Sequence, residues 1–583
     1  MSDERKNAPA GGEKRMNSEK KTAFGGKTGA NSAGKPAFGG NGRANSGFHG
    51  KTGDKKPAFG GASGEKRPFR GDKPAFGGEK SANPAEKRPF RGPRVEANGE
   101  KGAFRTAKPG FGGNRPANPD RRRSFGGDQR PEKRRPEQQE GLATRRMALE
   151  VIREVTENGA YINQVLDDKL RDCGLSAVDR RLVARLAYDT IENQMKLDWA
   201  LNQIMAKPDT DIKLRNVLRL GACQILLEDR IPDSAATNTS VVLCKEIGME
   251  GLAGVCNGIL RNLIRQKDEL TWPDPETEPV KAKSIRYSVP EWLVERLTAD
   301  WGDESDEIMG YHEQETSVTL RPNMTRHTDA SFEALLNKKV WEHEKGDVSF
   351  AWKVRNMVDI GRDAGFVGGD YSIQSESSMM ACLAVSPKRG ATVLDCCAAP
   401  GGKSCLLAEM MGGSGRVQAW EIHAHRTDLI AAQAKRLSLD NVRPMTRDAS
   451  IHRDDCVQAM DAVLLDAPCS GLGVMAGKPD VKYRVSEESV AELTALQEKI
   501  LETVSAYVKK GGVLVYSTCS VLKDENENQV KKFLQKHPEF EVDALPETIP
   551  EKFRCHADVG LQLLPHRDHV EGFYICRMRR KRV

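Results

Sequence analysis

Short apolar segments alternate with helix-like segments over residues 389–583, and this alternation constrains the fold more than any other feature of the chain. In chain order the apolar segments read ATVLDCCA, RVQAWEI, NVRPMTRD, AVLLDAPC, GGVLVYSTCS and GFYICRMRR. Their length and their content of Val, Leu and Ile are typical of buried strands. Strands that alternate with helices predict a doubly wound, mostly parallel α/β sheet that binds its ligand beyond the carboxyl ends of the strands.

Two of these predicted strands end beside a cysteine. In the segment Ala462–Ser470, the strand stops at Asp466 and the chain then turns to Cys469. In the segment Gly512–Ser520, the strand ends at Cys519. A cysteine can be a small buried core residue or a strong nucleophile in its thiolate form. Because neighbouring strands end at one edge of a sheet, a cysteine pair beside an acid favours a catalytic site over two core residues.

A loop of small residues follows the first predicted strand and opens a helix. It consists of Cys397, Ala398, Ala399, Pro400, Gly401, Gly402 and Lys403. Paired glycines let backbone amides approach a ligand closely, and a helix N-terminus favours a carboxylate. The loop matches neither GxGxxG nor GxxxxGK[ST], so dinucleotide binding is weakly supported and ATP binding is disfavoured.

Acids stand at the ends of the next three predicted strands, at Glu421, Asp448 and Asp466. The first of them, about 20 residues beyond the loop, can accept both hydroxyls of a ribose. Asp448 could hold an adenine amino group. A single acid at a strand end is often a helix cap, but this series fits a nucleoside that carries an amino-acid tail. We therefore predict that S-adenosylmethionine is bound by the seven loop residues, Glu421, Asp448 and Asp466.

The cysteines suggest which atom receives the methyl group. C5 of a pyrimidine is a poor nucleophile until a thiolate adds to C6, after which a base must remove the C5 proton and the thiol must leave. Cys519, Asp466 and Cys469 could supply the nucleophile, the acid near N3 and the amino group, and the proton acceptor, in that order.

Residues 141–268 have apolar residues at helical spacing, for example Leu182 and Leu186. They predict an all-α bundle of about six helices, one of which begins after an N-cap at Ser176. Five arginines could line a surface that faces RNA or could simply lie on a solvated helix face. They are Arg145, Arg146, Arg180, Arg181 and Arg185.

Residues 269–388 predict a connector. TWPDPETEP has the Pro and acid content of a linker, and later segments suggest a small mixed α/β unit. A helix that starts near Glu376 is expected to pack on the next domain.

Residues 1–140 carry 32 Lys and Arg against 16 Asp and Glu, a net charge of +16, whereas the rest of the chain has a net charge of −9. AFGG and EKRPFRG recur in this segment, which lacks the large apolar residues that a core needs, so we expect a disordered tail. Basic residues interleaved with Phe can contact phosphates and stack on unpaired bases. A linker that only improves solubility is the alternative.

The 13 cysteines all lie from Cys173 onward and form no CxxC pair, so we expect reduced thiols without a metal site. The N-terminus has no apolar signal region, and no run of eighteen apolar residues follows. These features predict a soluble cytoplasmic protein that does not bind a membrane.

The C-terminal half closely resembles RNA cytosine-C5 methyltransferases in four motifs, DCCAAPGGK (395–403), DAPCSGLG (466–473), KPDVKY (478–483) and YSTCSVLKDENENQV (516–530). With a helical region that resembles NusB-like RNA-binding domains, the chain from about residue 141 to 583 resembles the RsmB-type (Sun/Fmu) 16S rRNA enzymes. The resemblance implies a Rossmann-like class I methyltransferase domain preceded by an all-α NusB-like domain and a small α/β connector. The predicted regions are a disordered tail (1–140), a NusB-like domain (141–268), a connector (269–388) and a methyltransferase domain (389–583).

The same resemblance implies roles for individual residues. Cys519, in the TCS motif, would be the nucleophile, and Cys469, in the PCS motif, would assist product release. Cys397 to Lys403, Glu421, Asp448 and Asp466 would contact the cofactor. Glu421 stands where aspartate is frequent, and Tyr483 stands where tryptophan is often found, which leaves an aromatic platform.

The implied activity is S-adenosylmethionine-dependent methylation of cytosine C5 in 16S rRNA, either as naked RNA or in a pre-ribosomal small subunit, by a monomer. Two alternatives stay open. The same chemistry could act on tRNA, or the protein could be a non-catalytic RNA-binding or ribosome-assembly factor.

Overall fold

A computed structural model describes residues 141–312, 317–357, 360–554 and 557–583. The predicted disordered tail, residues 1–140, lies outside the described residues. No helix in the described ranges is long and apolar enough to cross a membrane.

The N-terminal part of the described chain is helical. Its apolar residues recur at helical spacing and meet in one core, where Leu186 and Val183 are fully buried and Leu182 is partly buried. The side chain of Ser176 accepts a hydrogen bond from the backbone N–H of Asp179, so the predicted N-cap is confirmed. This described region contains seven α-helices, whereas about six were predicted. They are α1 (Leu142–Asn158), α2 (Ile162–Leu170), α3 (Ala177–Glu192), α4 (Gln194–Ile204), α5 (Ile212–Leu226), α6 (Asp233–Glu246) and α7 (Ala253–Gln266).

Three helices and a small sheet follow. The helices are α8 (Pro279–Tyr287), α9 (Glu291–Trp301) and α10 (Glu304–Gly310). The sheet has the antiparallel order β2-β3-β1-β4. It packs its aromatic residues, including Trp352 and Tyr371, around Phe332. Its elements are β1 (Val318–Pro322), α11 (Asp329–Leu336), β2 (Glu342–Lys345), β3 (Trp352–Arg355), α12 (Ala364–Gly368) and β4 (Tyr371–Ile373).

The C-terminal part contains the predicted α/β sheet. Its elements are α13 (Glu376–Val385), β5 (Thr392–Asp395), α14 (Gly402–Met410), β6 (Arg416–Glu421), α15 (Ala424–Arg436), β7 (Val442–Thr446), β8 (Met460–Asp466), α16 (Glu487–Ser505), β9 (Val508–Thr518), α17 (Glu527–Lys536), β10 (Phe540–Val542), β11 (Leu561–Leu563), α18 (Pro565–Asp568) and β12 (Phe573–Arg580). The order of strands is β10-β12-β9-β8-β5-β6-β7, and β11 pairs with β12. β9, β8, β5, β6 and β7 are parallel, whereas β12 is antiparallel to β9.

Alternate residues of each central strand enter the cores on the two faces of the sheet. In β8, Ala462 and Leu464 pack with α13, α14 and α15, whereas Val463 and Leu465 pack with α16 and α17. This period of two is why the strand is apolar throughout and buried on both faces. The predicted packing of the helix that starts at Glu376 onto this sheet is confirmed, since α13 belongs to the first of these cores.

The direction of the chain through the sheet reverses beside β5. From β5 the chain runs through β6 to β7 on one side, then returns to β8 and β9 on the other. In sheets of this type, the crevice at such a switch point is where ligands bind. Two short strands, β10 and β11, were not predicted, because three residues are too few to show a strand pattern.

Candidate active site

Three loops meet at the carboxyl edge of the sheet, because β5, β8 and β9 are adjacent and parallel. The first is the loop of small residues that leads from β5 into α14. The second leads from Asp466, the last residue of β8, to Cys469 and Ser470. The third follows Thr518, the last residue of β9, so Cys519 lies just outside the strand that was predicted to contain it.

The two cysteines lie together. Sγ of Cys469 and Sγ of Cys519 are 3.4 Å apart, both side chains are partly exposed, and neither is in a disulfide. The hydrogen bond from Cys469 lowers the pKa of Cys519 and, with the charge of Lys403, outweighs the opposing effects of burial and of the charges of Asp466 and Glu571. The same hydrogen bond and burial raise the pKa of Cys469 well above its usual value. Of the two thiols, Cys519 is therefore the one that ionises more readily, with Cys469 as the hydrogen-bond donor to its thiolate.

An ion pair lies beside the thiolate. Nζ of Lys403 is 2.7 Å from Oδ2 of Asp466, and the hydroxyl of Ser517 donates to Oδ1 at 2.9 Å. Burial lowers the pKa of Lys403, but the charge of Asp466 and their hydrogen bond more than offset it and hold the pKa above its ordinary value. Nζ also lies 5.3 Å from the centre of the Phe573 ring. Lys403 was predicted as a cofactor contact, and its ammonium also pairs with the acid and acts through its charge on Cys519.

The rest of the small-residue loop forms a tight turn onto α14. The N–H of Ala398 donates to the carbonyl of Trp420, and the N–H of Gly401 donates to the carbonyl of Ala398. Gly401 has φ of +111°, and a Cβ there would lie 3.1 Å from Cα of Ile430, so conformation and space both favour glycine. A Cβ on Gly402 would have no heavy atom within 4 Å, so the start of α14 faces open space.

Asp395, the last residue of β5, was not singled out from the sequence. It is fully buried, and one carboxylate oxygen accepts from the hydroxyl of Ser404 at 2.6 Å. The other oxygen, Oδ1, has no hydrogen-bond partner among the described residues. Burial raises the pKa of Asp395 to about 7. The loop thus combines open backbone amides with an unsatisfied buried acceptor, which fits a ligand that carries an α-amino acid group.

Glu421 and Asp448 lie differently. Glu421 ends β6 and is 4% exposed, and its carboxylate accepts from the N–H of His423 at 3.1 Å and lies 3.4 Å from Arg426. Asp448 lies two residues beyond the end of β7, and its carboxylate accepts from the N–H of Ser450 at 2.8 Å. Asp448 therefore caps a turn. Its predicted contact with the adenine amino group stays a prediction.

A cleft of about 1140 Å³ opens beside the cysteine edge. Gly473 and Glu571 line it from the catalytic sheet, and Tyr287, His312 and Gln374 line it from preceding elements. Neither cysteine lines the cleft, but the N–H of Gly473 donates to the carbonyl of Cys519, so the cleft lies next to the loop of that cysteine.

Among the five arginines proposed for an RNA surface, Arg145, Arg146 and Arg185 form contacts within the protein as follows. Arg145 is 6% exposed and donates to Gln224 and to the carbonyl of Gly141, so the proposal that it faces RNA is wrong. Arg146 forms a two-pronged ion pair with Glu246. Arg185 forms an ion pair with Glu228 at 2.8 Å. Apolar periodicity could not reveal that the first helix turns Arg145 inward.

Tyr483 was expected to present an aromatic platform, and the structure instead uses its hydroxyl to join two parts of the chain. That hydroxyl donates to the carbonyl of Glu192, at the end of α3, at 2.9 Å, and it lies 2.9 Å from the hydroxyl of Ser288. The segment that follows the Cys469 loop is therefore anchored on the helical region.

Three sequence families match the chain. Residues 382–579 match the family described as 16S rRNA methyltransferase RsmB/F, and residues 142–265 match the NusB family. Residues 289–360 match the ferredoxin-like domain of RsmF/B-like methyltransferases.

Curated relatives match over nearly their whole length. The chain is 37% identical over 450 residues to the probable ribosomal RNA small subunit methyltransferase B of Bacillus subtilis, which covers 75% of this chain and 99% of the relative. It is 32% identical over 445 residues to ribosomal RNA small subunit methyltransferase B of Escherichia coli O1:K1, with coverage of 75% and 98%. Among solved structures, the crystal structure of PH0851 aligns with a TM-score of 0.66 and 25% identity over 75% of this chain and 98% of that chain.

Proposed function

The chain belongs to the RsmB/F family of S-adenosylmethionine-dependent rRNA methyltransferases, and from that premise we propose that it methylates C5 of a cytosine in 16S rRNA through a covalent bond between Cys519 and C6. The observation that carries the proposal is the cysteine pair, with sulfurs 3.4 Å apart, beside the Lys403–Asp466 ion pair at the switch point of the sheet. A catalytic thiolate needs a hydrogen-bond donor and a nearby cation, and Cys519 has both.

The loop before α14 and the acid of Glu421 would hold the cofactor. The open start of α14 would receive the carboxylate, Asp395 would receive the amino group, and Glu421 would accept the ribose hydroxyls. When bound, S-adenosylmethionine supplies an electrophilic methyl group on a sulfonium. The assignment of Asp448 to the adenine amino group stays a prediction.

The first chemical step belongs to Cys519. Its thiolate forms a bond to C6, and the electron pair of the C5=C6 bond moves so that C5 becomes nucleophilic while N3 gains a proton. The Lys403–Asp466 pair is the source of that proton, since its ammonium and carboxylate lie beside the thiolate. C5 then takes the methyl group.

The second step belongs to Cys469. Once Cys519 is bonded to C6, the Cys469 thiol gives its proton to solvent. As a thiolate it then takes the proton from C5, the C5=C6 bond forms again, and the bond between C6 and Cys519 breaks with its electrons returning to the sulfur. N3 gives its proton back to the Lys403–Asp466 pair, so the net change is replacement of one hydrogen by a methyl group and release of one proton. The raised pKa of Cys469 makes its thiolate a strong base for this transfer.

The cleft beside the cysteine edge would admit the RNA, and the NusB-like helices would bind a further part of it. Bisulfite sequencing of total RNA from cells with and without the gene tests the proposal. We expect one 16S rRNA cytosine to lose its protection from conversion when the gene is deleted and to regain it with the wild-type gene but not with Cys519→Ala. A site that maps to tRNA would move the substrate, and unchanged RNA in the deletion strain would reject the proposal.

A further inference from the structure

A buried carboxylate, Glu525, lies behind the two cysteine loops and has no part in the chemistry proposed above. Its side chain is fully buried, and no lysine or arginine forms an ion pair with it within the described ranges. A buried carboxylate without a counter-ion is costly unless several donors reach it. The donors that do so identify what the residue holds.

Two of these donors are the serines that directly follow the cysteines. Oε1 of Glu525 accepts from the N–H of Ser470 at 2.8 Å and from the amide of Gln497 at 3.0 Å. Oε2 accepts from the hydroxyls of both Ser470 and Ser520. The two hydroxyl oxygens are themselves 3.1 Å apart. One carboxylate oxygen therefore joins the loop of Cys469 to the loop of Cys519.

A backbone contact closes the same arrangement from the other side. The N–H of Gly473 donates to the carbonyl of Cys519 at 2.9 Å, and a Cβ on Gly473 would lie 2.1 Å from the carbonyl oxygen of Gly572. The backbone that follows each cysteine is thus tied to the neighbouring loop. These ties hold the two cysteine backbones in place, and because each sulfur is only two bonds from its Cα, they limit how far apart the sulfurs can lie.

Glu525 is also tied differently to the two cysteine loops. The hydrogen bond to Cys519 and burial are the main causes of the raised pKa of Cys469, and the charge of Glu525 acts in the same direction. Glu525 accepts from the backbone N–H directly after Cys469, whereas it reaches the Cys519 loop through the Ser520 hydroxyl, so its carboxylate is tied more directly to the Cys469 loop.

We propose that Glu525 is a positioning residue for both cysteines, which sets the distance between the two sulfurs and keeps the proton of the pair on Cys469. The inference rests on the proposed function, because only a reaction that uses the two thiols in different protonation states needs this arrangement. Glu525 touches neither sulfur and acts through Ser470 and Ser520.

Glu525→Gln tests the charge, because it keeps the shape of the side chain. Alkylation by iodoacetamide at pH 7, quantified for each cysteine by mass spectrometry, reports which thiol is ionised. We expect wild-type protein to be alkylated first at Cys519, and Glu525→Gln to lose about tenfold of that preference, which corresponds to a change of one in the pKa difference between the thiols. The matched control is Glu527→Gln, since Glu527 is in the same DENEN segment but pairs with Lys531 at 3.3 Å.

Ser470→Ala/Ser520→Ala tests the ties and retains the charge. We expect kcat for RNA methylation to fall about tenfold with KM for RNA within about twofold, because misplaced reactive groups slow the chemical step more than binding. The alkylation preference should fall as well, because the hydrogen bond between the two thiols depends on the same ties. If Glu525→Gln does not fold, as judged by circular dichroism, this variant decides the question on its own.

Three results would overturn the inference: a folded Glu525→Gln protein with the wild-type preference, an equal loss of preference in Glu527→Gln, or wild-type kcat in the double serine variant. Failure of the proposed function would look different. In that case wild-type protein would methylate no RNA, while the alkylation preference, which needs neither RNA nor cofactor, would still depend on Glu525.

Discussion

The loops that follow β8 and β9 have the same local sequence, a cysteine and then a serine, yet their surroundings give the two cysteines opposite properties. The hydrogen bond between the thiols and the charge of Lys403 lower the pKa of Cys519 against burial and the charge of Asp466, whereas that hydrogen bond, burial and the charge of Glu525 raise the pKa of Cys469. The serines do the same work in both loops, since both donate to Glu525. The comparison teaches that the role of each cysteine depends on the charge brought to it from elsewhere in the fold.

Removal of the thiolate gives the largest expected effect and tests the comparison most directly. Cys519→Ala should lower the rate of methyl transfer by on the order of 10⁴-fold or more, because no other group can form the bond to C6. Transfer of tritium from labelled S-adenosylmethionine to 16S rRNA measures this rate. If the variant kept a tenth of wild-type activity, the assignment of the nucleophile would be wrong.

Removal of the thiol should have a different result. In Cys469→Ala the bond to C6 still forms and the methyl group is still transferred, but the product leaves slowly, so multiple turnover falls by about 10²- to 10⁴-fold. A covalent protein–RNA adduct should accumulate on a denaturing gel. The control is Cys469→Ala/Cys519→Ala, in which no adduct should form. An adduct that persists in this double variant would contradict the two roles.

Removal of the Lys403 ammonium should bring the pKa of Cys519 closer to that of Cys469. Because Lys403 lowers the pKa of Cys519, Lys403→Gln should raise it, and the pH midpoint of Cys519 alkylation should move upward. Each increase of one in this pKa lowers the thiolate fraction below the midpoint about tenfold. Alkylation rates between pH 6 and pH 10 in the absence of cofactor locate the midpoint, with Lys403→Arg as the control that keeps the charge. If the midpoint moved downward or did not move, the lowered pKa of Cys519 would be due to the hydrogen bond from Cys469 and not to Lys403.

The smallest effect is expected away from the cysteines, where the chain beyond the Cys469 loop is anchored on the helical region. Tyr483→Phe removes the hydroxyl that bonds to Glu192 and Ser288 and should lower the free energy of unfolding by about 1 kcal/mol. Chemical denaturation measures this loss, and cysteine alkylation should keep its preference for Cys519. A changed preference would mean that the helical region influences the reactive pair.

The fold was predictable to the level of its class. The alternation of strands and helices predicted the doubly wound sheet, and the six predicted strands are present as β5, β6, β7, β8, β9 and β12. The Rossmann-like class and the NusB-like region are confirmed by the sheet order and by the family matches. The short strands β10 and β11 were missed because local pattern is uninformative over three residues.

The amino-acid sequence by itself determined the class of fold, the family and the small set of residues at the strand ends, since apolar periodicity and short motifs are local properties of the chain. Only the tertiary structure decided that the ammonium of Lys403 lies on Asp466, that Arg145 turns inward and that Glu525 joins two loops. These contacts join residues that are far apart along the chain, and electrostatic energy depends on distance in space. The opposite directions in which the pKa values of the two cysteines are shifted follow from that energy, so two similar motifs are placed in different electrostatic surroundings.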